Sequence, residues 1–114
     1  MTTCIFCKIV QGEAPAKKLF QDGVVTAFRD IHPVAATHVL IVPDRHVSSL
    51  NEITPDDEWL IGRLFTVARQ IAQQEKIDLS GYRIIINTGP QAGQTIDHLH
   101  LHLVGGNPMR FPIG

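Results

Sequence analysis

DHLHLHLVGG, residues 97–106, sets His98, His100 and His102 at every second position, with Leu99, Leu101 and Leu103 between them and two glycines behind. A period of two is the mark of a β-strand, whose successive side chains point to opposite faces. The leucines share one face and predict packing against an apolar layer. The histidines share the other, about 7 Å apart along the strand. Three imidazoles at that spacing repel one another when protonated, so some must stay neutral. A solvated strand face accounts well for one histidine but poorly for three in register, in a chain with six in all. Metal ligation and nucleophilic chemistry both stay open here, because H-x-H spacing also suits zinc.

Just before this strand lies TGPQAGQT, residues 88–95, between it and a second strand-like run, YRIIIN (82–87). Asn87, Gly89, Gly93, Gln94 and Thr95 offer backbone N–H groups free of bulky side chains, together with amide and hydroxyl donors. Such a loop can hold a tetrahedral anion. Most glycine-containing loops are only turns. Beside the histidines, this one is expected to be a phosphate cradle with imidazoles above it.

Working outward, Thr54 to about Lys76 reads as the main helix. Thr54 caps it, Pro55 suits the first position, and Asp56, Asp57 and Glu58 favour the positive end of its dipole. Leu60, Leu64, Val67 and Ile71 recur at helical spacing, with Ile61, Phe65, Ala68 and Ala72 beside them. HVLIVP (38–43) is a β-branched run expected as a buried strand. KKLFQD and VVTAFRD, around Gly23, read as a hairpin. CIFCKIVQGE reads as a short helix with Ile5, Ile9 and Val10 on one side. Hairpins with one long helix predict an α+β domain built on a mostly antiparallel sheet.

Composition narrows the classes. The 114 residues are expected to form one domain, 1–114, with 44% hydrophobic and 18% charged residues. A net charge of −1 gives no basic surface for nucleic acid, though a local phosphate site remains compatible. No apolar run is long enough to span a bilayer, so no membrane partner is expected. MTTCIFCKIV shows no secretory signal, and a cytoplasmic location is expected. There a disulfide scaffold is not expected, so Cys4 and Cys7 need another account. C-x-x-C alone admits a redox pair, two buried thiols, or half of a zinc site.

HLHLHLV resembles the H-φ-H-φ-H-φ-φ signature (φ apolar) of the histidine triad family of nucleotide hydrolases and transferases. The likeness covers nearly the whole chain. CIFCKIVQGEAPAKKLFQD resembles the family's opening segment, AFRDIHPVAATHVLIVPDRHV its central strand region, and NTGPQAGQTIDHLHLHLVGG its closing site. The short length and the ending GGNPMRFPIG resemble its nucleotide-binding branch more than its larger transferases. The resemblance implies a five-stranded sheet with one long and one short helix, continued across a homodimer. It places Trp59, Leu60 and residues 82–87 near the partner, with 105–114 reaching the neighbouring site.

The resemblance also implies an activity. By that match His100 attacks the α-phosphorus of a nucleoside 5′-phosphoramidate or a related ester or anhydride, and water then releases AMP or GMP from a nucleotidyl-histidine. Imidazole suits this role, being nucleophilic when neutral and a good leaving group from phosphorus. His102 would bind phosphate oxygens, with Asn87, Gly93 and Thr95 at phosphate-contact positions and Gln94 among them. His38 would orient His100, with a histidine that only caps the start of its strand as the rival reading. Asp30 would accept ribose hydroxyls, and Phe6, Ile9, Phe28 and Ile31 would flank the base, with ordinary core packing as the rival reading. Purine preference comes from the resemblance alone. Some members bind zinc through positions that here are Cys4, Cys7, His46 and His98, a closed and hence structural set. No organic cofactor is expected. Three alternatives remain: a nucleotide-binding regulator with incidental hydrolysis, a diadenosine polyphosphate hydrolase, and a catalytic zinc held by His98, His100 and His102.

Overall fold

The computed structural model describes residues 3–110. Helix α1 (Ile5–Val10) comes first, followed by the hairpin β1 (Lys18–Gln21) and β2 (Val25–Arg29), then β3 (Thr37–Pro43). Helix α2 (Glu58–Gln74) precedes β4 (Tyr82–Ile85) and β5 (Leu101–Gly105). The strands lie in the order β1-β2-β3-β5-β4, with every neighbouring pair antiparallel. The expected α+β class and five-stranded sheet are both present.

The sheet's two faces have different tasks. Val25, Ala27, Val39, Ile41, Leu101 and Leu103 point to one face, where Leu60, Leu64, Val67 and Ile71 of α2 cover them. This is the leucine face of the histidine segment, and it carries the main core. Directly opposed residues of antiparallel strands point the same way. On the other face, therefore, Phe28, Leu40, His102 and Ile85 stand side by side across four strands. There Phe28, Leu40 and Val42 pack with Phe6 and Ile9 of α1 in a second, smaller cluster. The functional face is thus the lightly covered one.

Several expectations shift in detail. The start of α2 is a single tight turn, Pro55–Asp57, closed by a capping box between Thr54 and Asp57. Phe65 is 42% exposed, because it sits on the solvent side of the helical stripe. In α1 the inward side is Phe6, Cys7 and Ile9, whereas Ile5 is exposed. Leu60 points from α2 into the core and offers no surface of its own, while Trp59 beside it is exposed. At the other end of α2, Arg29 donates two hydrogen bonds to Glu75, at 2.6 and 3.1 Å, and ties β2 to the helix C-terminus.

The ladder of β5 begins only at Leu101. His98, Leu99 and His100 precede it, with the Leu99 N–H bonded to the Val47 carbonyl at 2.7 Å. The in–out alternation nevertheless persists, since Leu99 is buried in the main core with Leu101 and Leu103. Part of the segment 105–114, expected near a neighbouring site, lies outside the described residues.

At the far end of β5, Gly105 is a point of close approach. A Cβ there would stand 2.9 Å from Ile77 Cδ1 and 3.1 Å from the Gly81 carbonyl oxygen. Gly105→Ala should therefore lower unfolding stability by about 1–3 kcal/mol through overpacking. Urea unfolding of the two proteins tests this, and an unchanged midpoint would show that β5 and the Ile77 turn separate without cost.

Candidate active site

Four ligand-type side chains meet where α1 crosses the histidine segment. Cys4 Sγ lies 3.3 Å from His98 Nδ1, and Cys7 Sγ lies 3.3 Å from His46 Nδ1 and 3.5 Å from His98 Nδ1. The two Nδ1 atoms are 3.2 Å apart. All four ligand atoms fall within 4.8 Å of one another. A tetrahedral ion with bonds of about 2.0–2.3 Å would hold neighbouring ligands about 3.3–3.8 Å apart. Four of the six spacings, from 3.2 to 3.5 Å, lie close to that edge length, and the donor set fits a metal.

The backbone prepares His98 for this role. Its Nε2–H donates to the Pro43 carbonyl at 2.8 Å, which leaves the Nδ1 lone pair facing the thiols. Burial pushes His98 below the ordinary histidine range, helped by the rings of His46 and His100 and opposed by the Pro43 bond. His98 is wholly buried, which removes the rival reading of a solvated strand face at this position. The CxxC pair faces imidazoles, as the zinc reading of the motif requires.

His100 has the opposite tautomer. Its Nδ1–H donates to the His98 carbonyl at 2.7 Å, leaving Nε2 without a proton. The ring packs edge to face on Phe6, with centroids 5.1 Å apart, and on His102 at 4.9 Å. The rings of His98 and His100 serve different partners, so the three triad histidines do not converge on one ion. The reading as a three-histidine catalytic metal loses its ligand set.

His38 contacts His102 rather than His100, correcting the role expected for it. The Val34 N–H donates to His38 Nδ1 at 3.1 Å, so the His38 proton sits on Nε2. That N–H donates to His102 Nδ1 at 2.9 Å, with Asp30 Oδ2 also 3.4 Å away. The neutral His102 ring must then carry its own proton on Nε2, the nitrogen not engaged by His38. Burial lowers His102 to about 4, with the His100 and His38 rings adding to the effect and Asp30 working against it. Burial also lowers His38, against the pull of Asp30. Asp30, His38 and His102 have metal-ligand chemistry as a group. The protonated Nε2 of His38 makes them a hydrogen-bond chain instead.

Beside these rings is an apolar cavity of about 390 Å³. Phe6, Ile9, Phe28, Asp30 and Ile31 all line it, together with Leu40 and Ile96, which sequence reasoning did not single out. Core packing and cavity lining turn out to be one role for Phe6, Ile9 and Phe28, which belong to the smaller cluster and form its open side. Ile31 is 82% exposed and forms the rim. Asp30 accepts the His32 N–H at 2.8 Å and so holds the corner between this cavity and the histidines.

The glycine loop is braced from within. Gln94 Nε2 donates to the Ser48 and Ile96 carbonyls at 2.8 and 3.0 Å, and its Oε1 accepts the Gly89 N–H. Its amide is thus consumed in tying the loop to itself and to Ser48, and is not a donor held ready for a ligand. Asn87 Nδ2 likewise donates to the Ala92 carbonyl at 2.8 Å. Gly93 adopts φ +86 after the turn Pro90–Ala92, a conformation L side chains avoid, and the space above it is open. Thr95 is exposed beside it. The groups missed from sequence are mostly backbone atoms: the Pro43 and His98 carbonyls and the Val34 N–H. No residue type signals them.

Comparison with known proteins agrees with this fold. The sequence model of the HIT domain matches residues 11–109. The purine nucleoside phosphoramidase of Escherichia coli K12 is 47% identical over 105 residues, which cover 92% of this chain and 88% of that protein. The crystal structure of a HIT family hydrolase from Legionella pneumophila superposes with a TM-score of 0.95 at 44% identity, covering 98% of this chain and all of that one. A histidine triad protein from Clostridium difficile gives a TM-score of 0.94 at 38% identity, covering 97% and 96%. The histidine alternation, the fold and these relatives all lead to one assignment, and the chain belongs to the HIT domain family.

Proposed function

We propose that this protein is a purine nucleoside phosphoramidase, a hydrolase that cleaves the P–N bond of nucleoside 5′-phosphoramidates through a nucleotidyl-histidine. One observation carries the reading: the His98 carbonyl takes the Nδ1 proton of His100, so that Nε2 is the lone-pair nitrogen of the neutral ring, and that ring packs on Phe6, a wall of the cavity. The kinship with the Escherichia coli phosphoramidase supports the substrate class.

In this reading the base enters the apolar cavity between Phe6, Ile9 and Phe28, with Ile31 at the rim and the ribose hydroxyls on Asp30. His100 Nε2 attacks the α-phosphorus, the P–N bond breaks, and the amine leaves with a proton taken from solvent, which the attacking water of the second step returns. Water then attacks the same phosphorus, and AMP or GMP departs as the P–N bond to His100 breaks. The Nε2–H of His102 donates to a phosphate oxygen, its direction set by the His38–His102 hydrogen bond. The backbone at Gly93 and the Thr95 hydroxyl supply further donors, where charge grows as phosphorus becomes five-coordinate. Asn87 and Gln94 contribute by holding that loop in shape.

We assign zinc to Cys4, Cys7, His46 and His98, since thiolates with imidazoles suit that ion. Four protein ligands leave no open position, so the ion would pin α1 to the histidine segment and take no part in the chemistry. The proposed context is a cytoplasmic homodimer, with exposed Trp59 and the outer edge of β4 toward the partner. No helix among the described residues is long and apolar enough to cross a membrane.

Three measurements test these assignments. His100→Ala should reduce release of AMP from adenosine 5′-phosphoramidate by about a thousandfold or more while AMP still binds. Undiminished hydrolysis would leave a nucleotide-binding protein with another catalytic group, and faster cleavage of diadenosine polyphosphates would move it to a different branch. Metal analysis of untagged protein should find about one zinc per chain, held by the four ligands. The third measurement is stability against pH. His102 is lowered from 6.5 to about 4 by burial, so between those values the unfolded chain binds the extra proton and stability falls as pH falls. Thermal midpoints should drop across that window, and His102→Gln should flatten part of the slope. A midpoint independent of pH there would contradict a neutral, half-buried His102.

A further inference from the structure

Helix α1 has six residues, too few to be stable alone. Its sequence splits between two tasks. Cys4 and Cys7 face His46 and His98, whereas Phe6 and Ile9 form a wall of the nucleoside cavity. The Phe6 ring joins the two. It packs edge to face on His98 with centroids 5.9 Å apart, on His100 at 5.1 Å and on Phe28 at 5.4 Å. With 4% of its surface exposed, it is a wedge between a candidate metal ligand and the candidate nucleophile.

We propose that Phe6 is a positioning residue that couples occupancy of the Cys4–Cys7–His46–His98 cluster to purine nucleotide binding. The coupling rests on the nucleotide reading above. An ion held by the two thiols fixes α1 and with it the cavity wall and the ring packed on His100. A base lying against Phe6 and Ile9 holds the same helix from its other side, and so holds the thiols. Apart from the cluster, α1 is seated by apolar contacts to Phe28, Leu40 and Val42, by the Phe6 ring on His100 and by one hydrogen bond from Gln21 Nε2 to the Val10 carbonyl at 2.9 Å, while the large core lies across the sheet. Each ligand therefore stabilises the arrangement that the other needs. Linkage requires that each raise the other's affinity by the same factor.

The test measures AMP affinity by calorimetry in zinc-loaded protein, in protein stripped by a chelator, and in His46→Ala. The His46 ring touches His98 and Cys7 but does not line the cavity. AMP should bind about fivefold or more weakly when the ion is lost. Zinc affinity, read by competition with a chromogenic chelator, should rise by a similar factor in saturating AMP. Phe6→Ala should keep its zinc, bind AMP less well, and show no effect of AMP on zinc affinity. If the stripped chain loses its fold, the competition assay on zinc-loaded protein decides alone. Binding of AMP with unchanged zinc affinity would overturn the coupling and leave the nucleotide reading standing. Failure of zinc-loaded protein to bind AMP would overturn both.

Discussion

Each histidine of this site has one ring nitrogen committed to a partner, and that commitment decides what the other nitrogen can do. A neutral imidazole has one proton and two nitrogens, so a hydrogen bond at one end settles the chemistry at the other. The Pro43 carbonyl takes the proton side of His98 and turns its lone pair to the thiols. The His98 carbonyl takes the proton side of His100 and leaves Nε2 bare. The Val34 N–H works in the opposite sense, occupying a lone pair of His38 so that its proton points at His102. Three imidazoles in one repeating pattern thereby acquire three roles. Burial keeps the arrangement in force by disfavouring the charged forms of His38, His98 and His102.

These commitments depend on the division of labour between the sheet's two faces. The leucine side of β5 is anchored under α2 in the main core, and this holds the histidine side in place without covering it. The covering that exists comes from α1, a short element whose residues serve the thiol cluster and the cavity at once. Packing stability and chemical access therefore lie on opposite sides of the same strands. Asp30 completes the frame at the corner, bonded through Oδ1 to the loop after β2 and close through Oδ2 to His38.

Much of this was legible in the sequence because it rests on periodicity. The two-residue alternation of residues 98–103 identifies which side chains are core, and the spacing of Leu60, Leu64, Val67 and Ile71 identifies what covers them. The five residues expected around a nucleoside do line one cavity. The resemblance brought Cys4, Cys7, His46 and His98 together, although they lie in three separate stretches of chain, and the folded positions agree. Other expectations failed for physical reasons. Gln94 looked like a free donor, but its amide braces its own loop. Leu60 looked available to a partner, yet the helical stripe turns it inward.

The sequence by itself determined the strand and helix pattern, the family resemblance and the set of residue types from which a site can be built. These follow from local side-chain order, which a one-dimensional string records. Only the tertiary structure decided where each histidine proton resides and which histidine addresses which neighbour. His38 faces His102, and His98 and His100 divide between thiols and an open nitrogen. Those outcomes depend on backbone carbonyl and amide groups, which every residue carries alike, so only their placement in space distinguishes them.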